Sequence, residues 1–302
     1  MSALAAGPKY VFKEKSPVSS RHTPTVRLRR LAAELRRLRE AAEMTREDVA
    51  ARTSINEATL YRIETAKTRP QARTLAALCD VYVVSETRRV ELVALSKEAT
   101  QRGWMRSFPS ELPEQYTTYI GFEAEAQSVW NYESLFVPGL LQTEDYAQAV
   151  IRGVLPMASR DEVESRVQAR MARQQLLVGK PPLRLWAILD EAAVRRRVGG
   201  PQVMLGQLRH LTQAAELPHV TIQIIPFQAG AHPGMPGSFA ILQFSRPDPD
   251  VVYVDSMAGD LFLEKEADLQ RYTLTFEHLR AVALSPDGSC SLVAAIAEEV
   301  ME

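Results

Sequence analysis

Apolar positions recur at helical spacing over the first third of the chain. Leu28, Leu31, Ala32, Leu35, Leu38 and Ala42 fall at i, i+3 and i+4. They predict an amphipathic helix whose other faces carry Arg29, Arg30, Arg36, Arg37 and Arg39. Met44-Thr-Arg-Glu-Asp-Val-Ala50 predicts a second helix, with Thr45 as N-cap, Asp48 at N3 and Met44 placed to staple. It should stop near Thr53-Ser54. Asn56 caps a third helix, in which Leu60 and Ile63 face inward and Ile55 can meet Leu60. Residues 65–69 form a connection, and Pro70 marks a new start. Leu75, Leu78, Cys79 and Tyr82 give a fourth apolar face. Ser85-Glu86 opens a fifth helix through Val90, Val93 and Leu95. Five short helices with short loops predict a compact all-α domain over 26–100.

Beyond residue 118 the pattern alternates. Helices are expected at 119–132, 143–152 and 159–177, the last opened by the capping box Ser159-Arg-Asp-Glu162. Residues 183–189 predict a strand. Asp190 caps a short helix ending at Gly199-Gly200, and 201–216 forms another. Residues 219–226, 238–244 and 251–255 are β-rich. Helices over 264–284 and 286–300 close the chain. The expected fold is α+β overall: an all-α five-helix domain, then a mixed α/β domain over 119–302 with about four strands. Residues 1–25, rich in Pro, Ser, Lys and Ala without a sustained period, are expected to be a disordered arm. Residues 101–118, with Gly103, Pro109 and Pro113, are expected to link the two domains.

Composition changes this picture in one respect. The 302 residues suggest about two domains. The chain has 36 Lys and Arg against 37 Asp and Glu, a net charge of −1 that points away from nucleic acid. Split at residue 100, the balance differs. Residues 1–100 hold 19 basic and 12 acidic residues, net +7; the remainder is net −8. A polyanion is therefore expected at the basic end. The 46% apolar content supports packed cores. The longest apolar run, Leu292 to Ala297, falls far short of the ~20 residues of a bilayer span. The Ala3–Ala6 stretch before Lys9, Lys13 and Lys15 lacks a signal peptide's apolar core. Cys79 and Cys290 stand far apart, without disulfide or zinc spacing. A cytoplasmic protein without a membrane segment is expected.

The paired helices 45–53 and 56–66 carry the chemistry. In such a pair the second helix enters the major groove and offers its N-terminal residues to base edges, while the first lies across the backbone. Asn56, Glu57, Thr59 and Arg62 are expected to point outward. Arg62 suits guanine, Glu57 suits cytosine, and Asn56 suits adenine or a phosphate. Arg46, Lys67 and Arg69 flank the helix and suit phosphates. The run Met44 to Glu64 with Lys67-Thr-Arg-Pro70 resembles the XRE, or Cro/CI-type, helix-turn-helix domain. The resemblance covers about 28–84. It implies base contacts at Asn56, Glu57, Thr59 and Arg62, with phosphate contacts near Arg46 and Lys67. Two positions depart from that family: Ser54 and Ala66 stand where glycine is usual.

The C-terminal part offers weaker chemistry. Asp190-Glu191 is explained by capping. His232 lies in Gly230-Ala-His-Pro-Gly-Met-Pro-Gly237, a loop that can close over a ligand. The histidines at 22, 210, 219, 232 and 278 lack metal-ligand spacing. There is no P-loop, nucleophile elbow or dinucleotide fingerprint, so neither a cofactor nor an enzyme is expected. Val137-Pro-Gly-Leu-Leu-Gln-Thr-Glu-Asp-Tyr-Ala147, Arg173-Gln-Gln-Leu-Leu177, Leu189-Asp-Glu-Ala-Ala193, Val198-Gly-Gly200, Ile225-Pro-Phe227 and Gly237-Ser-Phe239 are similar to the domain of unassigned function in actinobacterial regulators of the WhiJ type. That resemblance implies a small partner protein encoded by a neighbouring gene, in an antitoxin-like and toxin-like pairing.

The expected function is a sequence-specific regulator of double-stranded DNA, a repressor and a homodimer, controlled by that partner. The alternative is a small-molecule sensor with a pocket near 227–237. A third possibility, an enzyme fused to a DNA-binding domain, lacks a catalytic constellation.

Overall fold

The computed structural model describes residues 26–98, 112–245, 248–256 and 259–301. The arm at 1–25 and linker residues 101–111 lie outside the described residues.

Five helices form the N-terminal part: α1 (Val26–Ala41), α2 (Arg46–Arg52), α3 (Glu57–Glu64), α4 (Ala72–Val81) and α5 (Glu86–Glu98). Their core joins Leu31 and Leu35 to Val49, Leu60, Ile63, Leu75, Leu78, Cys79 and Leu92. Met44 and Ile55, the expected staple residues, pack against this same core. In α5 one inward position differs from expectation. Leu92 and Leu95 are buried, whereas Val90 is 61% exposed. Leu95 and Val93 meet the core as expected, and Leu92 takes the inward place that Val90 was expected to fill. Ala66 has a φ of 55°, a left-handed conformation that favours glycine. Its methyl packs with Leu28 and Ala32, a contact glycine would not make.

The C-terminal part is a six-stranded mixed sheet between helical layers. Its strands are β1 (Ser128–Glu133), β2 (Arg184–Asp190), β3 (Val220–Ile225), β4 (Phe239–Gln243), β5 (Val251–Val254) and β6 (Leu261–Leu263). Their spatial order is β3-β2-β1-β4-β5-β6. The β1–β2 and β2–β3 pairs are parallel, and the other three pairs are antiparallel. The helices are α6 (Glu114–Glu125), α7 (Glu144–Val154), α8 (Arg160–Arg173), α9 (Glu191–Arg195), α10 (Pro201–Ala215), α11 (Glu266–Val282) and α12 (Pro286–Met301).

Side chains alternate across the sheet as strand geometry requires. Val129, Leu185, Ala187, Ile222, Ile224, Ala240 and Leu242 face one core with Tyr146 of α7, Leu208 of α10 and Val293 of α12. Tyr132, Ile188, Phe239, Ile241 and Val252 face the other, under Phe276 and Leu279 of α11. Trp130 stacks on Phe276 with ring centroids 5.0 Å apart.

Two strands exceed the four expected. The helix expected over 119–132 ends at Glu125, and the central strand β1 follows at Ser128. β6 is a three-residue edge strand. Helix α6 begins at Glu114, inside the segment expected as linker. Ser159 and Asp190 cap α8 and α9 as expected.

Helix α1 touches the second part directly. Arg29 pairs with Glu264, and its guanidinium lies 4.6 Å from the Phe122 ring centroid and 5.5 Å from that of Phe262. Arg30 lies 3.2 Å from Asp248. Burial among these rings pushes the Arg29 pKa down to about 10.

Candidate nucleic-acid interface

Two caps set the helix pair. The Thr45 hydroxyl accepts from the Asp48 amide, and the Asp48 carboxylate accepts from the Thr45 amide at 2.8 Å, a reciprocal capping box. Asn56 Oδ1 accepts from the Thr59 amide at 2.8 Å. The short connection between α2 and α3 then turns the second helix across the first. Ser54 serves that turn without a left-handed φ.

Glu64 locks the pair from beneath. Its side chain is fully buried. Arg39 of α1 donates Nε to Glu64 Oε1 at 2.6 Å, and Arg46 of α2 donates Nε to Oε2 at 2.8 Å. Arg39 also donates to the Met44 carbonyl at 2.8 Å. One carboxylate therefore ties three helices together.

The outward face of α3 carries Glu57, Ala58, Tyr61, Arg62 and Thr65, all exposed. This is the i, i+1, i+4, i+5 stripe opposite Leu60 and Ile63. Arg46, Glu57, Ala58, Tyr61 and Arg62 line one shallow groove. Of the expected contacts, Glu57 and Arg62 stand squarely on this face. Asn56 is exposed at its N-terminal end, with Oδ1 occupied by the cap. Thr59 is half-buried at the margin rather than outward, and its hydroxyl accepts from Arg62 at 3.3 Å. Lys67 is exposed beyond the helix end. Arg69 is exposed too, but its guanidinium donates to the Ser96 carbonyl at 3.1 Å, which binds it toward α5. Sequence reasoning missed Tyr61, Ala58 and Glu64. Positions 57 and 61 are one turn apart, so the helical period held the signal for Tyr61.

His232 lies far from this face in sequence. Its side chain is 7% exposed. The Gly234 amide donates to Nδ1 at 3.3 Å, so Nε2 carries the proton and donates to Asp190 Oδ2 at 3.2 Å. A Cβ at Gly234 would stand 2.5 Å from the Tyr132 ring, so only glycine lets the loop lie this close. His232 thus pins the loop to the carboxyl end of β2.

Beside that loop Glu133 ends β1, with Oε2 buried and without a hydrogen-bond partner. Burial pushes its pKa up from the ordinary 4.5 to about 7. A raised acid pKa in the folded state stabilises at low pH, fully below about 4.5, and that contribution is lost as pH rises through about 7. Glu133→Gln is therefore expected to be more stable than the parent at pH 8, by about 1–3 kcal/mol, and nearly equal at pH 4. Urea unfolding at the two pH values checks this. Equal stability at pH 8 would contradict it.

Among the described residues, no group of His, Cys, Asp and Glu is placed to hold a metal ion. Among them, no single helix is long and apolar enough to cross a membrane.

A capped helix pair on a basic domain, with an open polar face on its second helix, defines a DNA-binding regulator of the helix-turn-helix class. Residues 30–92 match the helix-turn-helix domain family. Residues 116–295, more than half of the chain, match the domain of unknown function DUF5753, and the chain belongs to that family. No curated protein and no solved structure matches it.

Proposed function

We propose that the chain is a sequence-specific transcriptional repressor of the WhiJ-like, XRE type, acting in the cytoplasm as a homodimer. Residues 26–100 form its reading head and 119–302 its control domain. A small protein encoded by a neighbouring gene, in an antitoxin-like pairing, acts through the control domain. The observation that carries this is the exposed α3 face, where Glu57, Ala58, Tyr61 and Arg62 line a groove beside Arg46. A plain helical bundle has no need of such a set on one open face. One small module makes few base contacts, and two half-sites multiply specificity, which favours a dimer.

In this scheme Arg62 reads guanine and Glu57 reads cytosine, while Asn56 and Thr59 complete the base-edge contacts. Arg46, Lys67 and Arg69 meet phosphates. Arg62→Ala is expected to weaken operator binding by about 1–3 kcal/mol and relax sequence choice. Lys67→Ala is expected to weaken all DNA alike and lower the salt dependence by about one contact. Titrations on operator and random DNA at several salt concentrations check both. Equal effects of the two substitutions on sequence choice would count against these roles.

A second reading has one observation in its favour. Glu133 Oε2, Arg170 Nε and the Tyr132 hydroxyl are buried polar atoms without a hydrogen-bond partner. Tyr132 and Glu133 stand at the carboxyl end of the parallel strand β1, where open α/β sheets place ligands. A small-molecule effector there would make the control domain a sensor. Thermal shift against metabolite pools and against the neighbouring gene's product separates the readings. Stabilisation by the protein alone supports the partner.

A further inference from the structure

Tyr61 is an exposed aromatic residue on the outward face of α3, 45% accessible. Two cations approach its ring from different elements. The Arg46 guanidinium, at the start of α2, lies 5.3 Å from the ring centroid. The Lys67 ammonium, beyond the end of α3, lies 5.4 Å from it. Both distances fall within cation–π range. Arg46 is further fixed through Nε by the buried Glu64. Lysine and arginine stems are flexible, and holding them costs side-chain entropy when DNA binds. A ring that holds both beforehand removes part of that cost.

The rest of the face shows where an anion fits. Glu57 lies one turn before Tyr61 and repels phosphate. Arg46 and Lys67 flank the ring itself. We propose that Tyr61 is a positioning residue, whose ring holds Arg46 and Lys67 as a clamp for the DNA backbone. The proposal rests on the DNA-binding reading above. The ring acts through the two cations and reads no base.

Three variants test it: Tyr61→Phe, which keeps the ring, Tyr61→Ala, which removes it, and the parent. In the DNA-free protein, the Lys67 Hε and Arg46 Hδ resonances should carry upfield ring-current shifts. These persist in Tyr61→Phe and vanish in Tyr61→Ala. On DNA, Tyr61→Ala is expected to weaken operator and random duplex alike by about 5- to 20-fold, and to flatten the salt dependence by about one to two contacts. Tyr61→Phe should stay within about twofold of the parent, since the cation–π contact needs only the ring. Because Tyr61 is exposed, the melting temperature should hold in both variants.

Absent ring shifts in the parent would overturn the clamp. So would a Tyr61→Ala defect confined to the operator with the salt dependence unchanged, which marks a base contact. A Tyr61→Phe defect equal to that of Tyr61→Ala would assign the role to the hydroxyl and also overturn it. A parent that shows the ring shifts but binds no DNA at any salt would instead sink the DNA-binding reading itself.

Discussion

Glu64→Ala is expected to destabilise the N-terminal domain by about 3–5 kcal/mol, because it leaves a buried cation without its partner. Arg39 is nearly buried, and its pKa is held above the usual value first by the bond to Glu64. Without that carboxylate, Arg39 keeps only the Met44 carbonyl and the marginal, exposed Glu40. Arg46 also loses its anchor on α2. A domain of this size commonly has only about 5–15 kcal/mol in total, so its helix pair should be largely lost on mild warming. DNA binding should fail with it. Calorimetry of the full chain checks this, with the loss expected in the N-terminal transition. Replacing both partners, as in Arg39→Met with Glu64→Leu, should restore most of the stability, since a well-packed apolar pair can match a buried ion pair. Unchanged stability of Glu64→Ala would mean that caps and apolar packing hold the helix pair without the lock.

The second large effect lies in the C-terminal sheet domain. Glu123→Ala is expected to cost about 3–5 kcal/mol there, for the same reason of an orphaned buried charge. Arg173 of α8 donates to Glu123 of α6 twice, at 2.6 and 2.7 Å. It also donates to the Tyr116 hydroxyl at 3.0 Å and lies 5.0 Å from the Tyr119 ring. Tyr119 completes the cluster by donating to Glu123 at 3.0 Å. Burial works against the Arg173 charge, and the Glu123 carboxylate more than offsets it, holding its pKa above the usual arginine value. The two lesions should act on different transitions: Glu64→Ala on the helix-turn-helix domain, Glu123→Ala on the sheet domain. If both lowered one shared transition equally, the two parts would unfold as a single unit. The contacts of Arg29 and Arg30 with Glu264 and Asp248 would then carry more coupling than two partly exposed ion pairs normally do.

Local signals made much of the fold legible. Thr45, Asn56, Ser159 and Asp190 each cap the helix that the sequence assigned to them, because a cap depends on residues three or fewer positions away. β1 was hidden by non-local pairing. Ser128–Glu133 mixes Trp130 and Tyr132 with Asn131 and continues the aromatic spacing of Tyr119 and Phe122. It becomes a strand because β2 and β4 hydrogen-bond it from both sides. β6 is too short to leave a pattern.

The exposed face of α3 was half legible. Glu57 and Arg62 follow from the period of α3. Thr59 was expected to point outward because only Leu60 and Ile63 marked the buried side; it sits half-buried at the margin. Glu64 reads as one more charged residue in sequence; its role needs Arg39, 25 positions away. The Arg173–Glu123 lock spans 50 positions and is equally invisible to a local pattern.

Sequence reading by the α3 face is tested most directly by comparing the purified full chain on its own promoter with a shuffled duplex of equal length and composition, across salt concentrations. Promoter binding is expected to be at least about 10³-fold tighter than shuffled binding, with a steep salt dependence on both. Equal affinity for the two duplexes would contradict it.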